Sequence, residues 1–176
     1  MCGIIACLNC VDQNKILLEG LTQLQNRGYD SCGISTIYNN EFEIQKYAST
    51  SLNQGLNLLN QNLNINEANI GIAHTRWATH GPKNDINAHP HIDYHNKVSL
   101  VHNGIITNYL TIKKQLEKNG VKFKGDTDSE VISNLISYHL TLDDTIFLSI
   151  INAIKELEGT WSIVFMIKDK PNSLYV

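Results

Sequence analysis

Charge is scarce in this sequence and none of it is gathered: 18% of residues are charged, the formal net charge is −3, and no run of lysine or arginine occurs. Such a chain has no general attraction for phosphate backbones or anionic membrane surfaces, so neither nucleic acid nor a membrane is expected as a partner. The start, MCGIIACL, has no basic leader, is interrupted by Asn9 and Asp12, and is far too short to span a bilayer. It does not read as a targeting signal. Cysteine is also sparse, and Cys2, Cys7, Cys10 and Cys32 all fall in the first fifth of the chain. That distribution does not suggest a disulfide framework and points to a reducing cytoplasm. The remaining material, 176 residues of 42% hydrophobic content, suffices for one substantial core and is short for two. A single domain over residues 1–176 is expected.

Residues 3–8 form an apolar run, followed by a helix in which Ile16, Leu17, Leu21 and Leu24 recur until Arg27-Gly28 stops them. Residues 32–38 and 42–48 flank the polar turn Asn39-Asn40-Glu41 and predict an antiparallel hairpin. The stretch 53–69 is close to low complexity, yet Leu52, Leu56, Leu59 and Leu63 keep one helical face. Residues 69–74 and 98–102 read as strands, separated by a loop over 77–97 that holds two of the three prolines and four of the seven histidines. Loops of that length inside compact domains are usually functional. A helix follows through Tyr109, Ile112 and Leu116. Next, Thr127-Asp128-Ser129-Glu130 has capping-box spacing ahead of a second helix. A third is predicted over 144–158 with Phe147, Ile150, Ile151, Ile154 and Leu157 inward, and the chain closes with a WSIVFMI/SLYV hairpin. Hairpins and paired helices favour an α+β fold, a four-layer α/β/β/α sandwich of antiparallel sheets. The last strand is so short that the sheet is expected to be incomplete at the C-terminal end.

Cys2 directly follows the initiator methionine. Removing Met1 would leave a thiol and a free α-amine on one residue, and the amine's ordinary pKa of about 7.7–8.0 lets it take the thiol proton near neutrality. A lone cysteine in such a place is more often a small buried hydrophobe, so the reading depends on its company. Arg76, in HTRWATHG (74–81), suits a bidentate grip on a carboxylate. Trp77 is equally suited to a lid or to core packing. Asn103-Gly104, after the run VSLVH, could donate to an oxyanion, although Asn-Gly is more often a plain turn. Asp128 could meet an ammonium group, or simply cap its helix. The crowding of His74, His80, His89, His91, His95 and His102, with the Cys7-x-x-Cys10 pair, leaves a zinc site as an alternative, weakened by the lack of a second closely spaced Cys/His pair.

MCGI, RGYDS (27–31), HTRWATHG, NAHPH (87–91), VHNGII (101–106) and DTDSEVI (126–132) occur in the order and approximate spacing of one family. Together they resemble the N-terminal glutaminase domains, class II glutamine amidotransferase domains, of glutamine–fructose-6-phosphate aminotransferases. RGYDS and HTRWATHG favour this group over amidophosphoribosyltransferases, asparagine synthetases and glutamate synthases. The resemblance covers nearly the whole chain. It implies an amino-terminal-nucleophile hydrolase fold in which Cys2 attacks the carboxamide of L-glutamine, with Asn103 and Gly104 as the oxyanion hole. It implies Arg76 on the substrate carboxylate, Asp128 on its amine, Trp77, Thr79 and His80 around the pocket, and Arg27 near the nucleophile. No cofactor and no metal are implied. The ammonia would go to a sugar-phosphate isomerase half, supplied in a longer chain or a separate protein, and assembly as a homo-oligomer stays open. A glutamine-binding or regulatory module without turnover is the alternative.

Overall fold

The structure is a computed structural model and describes residues 2–51, 54–64, 67–77 and 82–176. In chain order its elements are β1 (Gly3–Leu8), α1 (Gln13–Leu24), a 3-10 turn (Gln25–Arg27), β2 (Ser31–Tyr38), β3 (Glu41–Ala48), α2 (Gln54–Asn62) and β4 (Ile70–Arg76). There follow β5 (His91–Ile92), β6 (Val98–Ile106), α3 (Tyr109–Lys118), α4 (Asp128–Leu142), α5 (Ile146–Lys155), β7 (Gly159–Ile167) and β8 (Leu174–Tyr175). The strands form two four-stranded antiparallel sheets, ordered β1-β4-β2-β3 and β5-β6-β7-β8.

Three apolar layers explain the stacking. Leu17, Leu21 and Leu59 from α1 and α2 pack with Cys7, Cys32, Ile34 and Ala73 on the outer face of the first sheet. Ile37, Ile70 and Ile72 of the first sheet meet Val101, Val164 and Met166 of the second between the sheets. Val98, Leu100, Phe165 and their neighbours take α3, α4 and α5 on the far side, through Ile112, Leu116, Ile132, Leu135 and Ala153. The result is the four-layer α/β/β/α sandwich expected from the sequence.

The period of two along each strand decides which residues share the space between the sheets. On β1 that set runs through Ile4, Ala6 and Leu8, so Cys2 falls in phase with it. On β4, Ile70 and Ile72 lead to His74 and Arg76, and on β6 Ser99 and Val101 lead to Asn103. Following these three rows toward one end of the sandwich changes them from apolar to chemically active. The site is therefore the polar end of the inter-sheet core.

Several details depart from the sequence reading. Asn103-Gly104 does not follow a strand but lies inside β6, paired with Ser162 and Trp161 of β7. The β2–β3 turn needs only Asn39 and Asn40, both at positive φ (50° and 60°), because Glu41 already pairs with Tyr38. The loop over 77–97 contains β5, whose His91 pairs with Leu100. The capping box is half formed: Thr127 Oγ1 accepts from the Glu130 N–H at 3.2 Å, but the Glu130 carboxylate turns to the N–H groups of Lys124 and Gly125 at 2.8 and 2.7 Å. On α5, Phe147 points outward at 72% exposure, since the close packing of Ser149 and Ala153 sets the buried face. Leu52 lies outside the described residues, while Leu56, Leu59 and Leu63 hold the expected face.

Candidate active site

Cys2 precedes β1 at the point where Gly3 pairs with Thr75, which sets it beside Arg76 and Trp77. The Trp77 backbone N–H donates to Cys2 Sγ at 3.0 Å. Across the inter-sheet gap, Asn103 Nδ2 donates to the Cys2 carbonyl oxygen at 3.2 Å. Strands from both sheets thus grip the same residue, and the four cysteines carry free thiols.

Gly104 continues β6 at φ +141°, where a Cβ would lie 2.0 Å from the Thr160 carbonyl oxygen. Only glycine fits such a backbone against β7. Two residues on, the Ile106 N–H donates to Asp128 Oδ2 at 3.0 Å. Asp128 opens α4, so its carboxylate also sits at the positive end of the helix dipole. It is 4% exposed, as is Arg76 at the end of β4. Burial presses the Arg76 guanidinium below its ordinary pKa, and the nearby charges of Cys2, Asp30 and Asp128 act to keep it protonated.

These groups line one cavity of about 650 Å³, together with Arg27, Trp77 and Thr160. Arg27 is exposed at the end of the 3-10 turn. Trp77 stands 47% exposed, its ring edge-on to Tyr29 at 5.4 Å. The structure therefore brings together Cys2, Arg27, Arg76, Trp77, Asn103, Gly104 and Asp128. Thr79 and His80 lie outside the described residues.

Residues not singled out from the sequence as part of this site also line it, His74, His89, His102, Thr127 and Ser129 among them. His74 Nε2 is 2.8 Å from Asn103 Oδ1, and the His74 ring stacks on His89 at 4.1 Å. The His102 N–H donates to His89 Nδ1 at 3.3 Å, His102 Nδ1 lies 2.9 Å from Ser129 Oγ, and Thr127 Oγ1 lies 3.1 Å from His91 Nε2. Burial drives His74 down to about 4 and His89 and His91 well below their usual value, so these imidazoles are neutral near pH 7. Among the described residues no three His, Cys, Asp or Glu side chains converge as a metal-ligand set. The histidine crowding is instead a hydrogen-bonded wall. A sequence signal existed in that each histidine sits within a motif: His102 directly before Asn103, His74 two residues before Arg76, and His89 and His91 in NAHPH.

The loop carrying His89 and His91 is held from β3. Lys46 Nζ donates to the carbonyls of Ile86, Ala88 and Pro90 at 3.1, 2.6 and 3.1 Å. Burial pushes Lys46 down to about 8.

Residues 31–166 match the glutamine amidotransferase domain family. The chain belongs to that family. This amidotransferase domain is 42% identical to the glutamine–fructose-6-phosphate aminotransferase of Pyrococcus horikoshii, over the whole of this chain and 29% of that protein. It is 43% identical to a probable enzyme of the same name from Acanthamoeba polyphaga mimivirus, over 99% of this chain and 29% of that one. The domain thus spans less than a third of the length of these relatives. Among solved structures it resembles the allosteric regulatory enzyme of purine biosynthesis, with a TM-score of 0.79 and 26% identity over 94% of this chain and 35% of that one. The glutamine phosphoribosylpyrophosphate amidotransferase of B. subtilis gives a TM-score of 0.74 at 25% identity, with the same coverage. The amidotransferase domain therefore has the amino-terminal-nucleophile fold that its motifs implied. The family match begins at Ser31, so the case for Cys2 rests on its geometry.

Proposed function

We propose that the domain hydrolyses the side-chain amide of L-glutamine with Cys2 as nucleophile. The observation that carries this reading is Cys2 Sγ held by the Trp77 N–H in a cavity that also presents Asn103, Gly104, Arg76 and Asp128. Once Met1 is removed, the Cys2 α-amine takes the thiol proton and the thiolate attacks the carboxamide carbon. The oxyanion that forms is met by the Asn103 side-chain amide and the Gly104 N–H. Collapse expels ammonia, which carries away the proton held by the amine, and leaves a γ-glutamyl thioester. Water, deprotonated by the same amine, then releases glutamate. Arg76 takes the substrate α-carboxylate and Asp128 its α-ammonium, while Trp77, Thr79 and His80 close the pocket and Arg27 borders the nucleophile.

The chain is proposed as one domain over 1–176, the amide-donating half of glucosamine 6-phosphate synthesis from fructose 6-phosphate. Its relatives' names support that assignment, and the isomerase half would be supplied by a longer chain or a separate protein. Free thiols suit a cytoplasmic setting. Among the described residues no helix is long and apolar enough to cross a membrane. The processed protein incubated with glutamine should release glutamate and ammonia, and Cys2→Ala should release none. Calorimetric binding of glutamine without turnover would replace the enzyme with a binding module.

A further inference from the structure

An oxyanion donor drawn from an asparagine has to present its NH₂ and not its carbonyl, and the side chain can be turned either way. In this site Asn103 Nδ2 donates to the Cys2 carbonyl oxygen at 3.2 Å, while Oδ1 lies 2.8 Å from His74 Nε2. Reversing the amide would set two oxygens against each other at Cys2. With the amide as found, Oδ1 can only accept, so His74 must carry its hydrogen on Nε2. Its other nitrogen, Nδ1, is buried without a hydrogen-bond partner among the described residues. The opposite tautomer would face Oδ1 with a lone pair. The ring itself is fully buried and stacked on His89 at an interplanar angle of 18°, and His89 is fixed by the N–H of His102, the residue before Asn103.

We infer that His74 is a positioning residue: its Nε2–H fixes the Asn103 amide with NH₂ toward the nucleophile, so the oxyanion hole is set before substrate arrives. This rests on the reading of Asn103 as oxyanion donor. His74 borders the same cavity, and its hydrogen bond in the site is to Asn103, through which it acts.

Two polar replacements separate the two ring nitrogens. In H74Q the longer side chain carries its amide to the place of Nε2, whereas in H74N the shorter one reaches only the place of Nδ1. The expected result is a loss of at least about tenfold in kcat for H74N, with KM for glutamine within about twofold, because a mispositioned donor forfeits part of the 10²–10³ that removal of such a donor costs. H74Q should recover most of that loss. Alkylation of Cys2 by iodoacetamide forms no oxyanion, so its rate should be equal in all variants, which a general distortion of the site would not allow. H74N/N103A should be no slower than N103A. Equal kcat for H74N and H74Q, or a double variant slower by the product of the single losses, overturns the inference while leaving the glutaminase reading intact. A processed wild-type protein that releases no glutamate overturns that reading first, and the inference with it. If H74N does not fold, H74F, which keeps the stacked ring and drops the donor, is measured in its place.

Discussion

Gly104 is where backbone and chemistry meet in one residue. Its N–H is an oxyanion donor in the proposed reaction, and its φ of +141° with the Thr160 carbonyl close by admits no side chain. Gly104→Ala should therefore lower kcat at least tenfold, by rotating the N–H away, and should also lower the melting temperature; kinetics alongside a thermal melt checks both. Asn103-Gly104 also shows what was legible at this scale. The dipeptide stood out as a donor pair, but its usual meaning is a turn. Its place inside β6 is fixed by pairing with β7, more than fifty residues later, which local sequence does not report. Cys2, Arg76 and Asp128 were legible because their motifs were. His74, His89 and His102 were visible as residues and were weighed as metal ligands, since only the packing of two sheets shows that they bond to Asn103, to Ser129 and to one another.

At the scale of elements, the N-terminus of α4 holds more than its own first turn. Thr127 caps it, lies against His91, and precedes the Asp128 that receives the Ile106 N–H. Thr127→Ala should cost about 1–2 kcal/mol, a fall of roughly 3–6 °C in melting temperature, and should raise KM for glutamine as Asp128 loosens. Thr127→Ser should restore both, in calorimetry and in kinetics. The cap was readable from sequence because it is local. The partner of Glu130 was not, because the N–H groups of Lys124 and Gly125 compete for it in a loop without periodicity. Helix α5 shows the same limit: its apolar residues run almost all the way round, so periodicity could not choose a face. Small residues, Ser149 and Ala153, chose it. Phe147 and Leu148 are left outward at 72% and 46% exposure. Phe147→Ser should cost under about 0.5 kcal/mol, a small change that a thermal melt checks.

For the molecule as a whole, the buried histidines set the acid limit. His74 drops from 6.5 to about 4 on folding, and His89 and His91 are also pushed well below their usual value, all mainly through burial. Below pH 6.5 the unfolded chain binds protons that the folded chain refuses, so stability declines as the solution is acidified from about 6.5 toward 4. The cost reaches about 3 kcal/mol for His74 alone. Melting temperatures measured from pH 7.5 to 4.5 should fall along that window, and less steeply for H74Q. The layered fold itself was readable from hairpins and helical faces, since two sheets with apolar rows on both sides leave few other arrangements.

One bond ties these scales together. The Ile106 N–H holds Asp128 two residues beyond Gly104 on a single extended strand, where successive residues are spaced about 3.3 Å apart. In the proposed reaction the group that receives the substrate's α-amine and the group that receives its reacting oxygen are thus mounted on one rigid ruler. Such a gauge reads length: asparagine, shorter by one methylene, engages one end or the other but not both. Its hydrolysis should be slower than that of glutamine by orders of magnitude in kcat/KM, a comparison that a coupled ammonia assay makes directly.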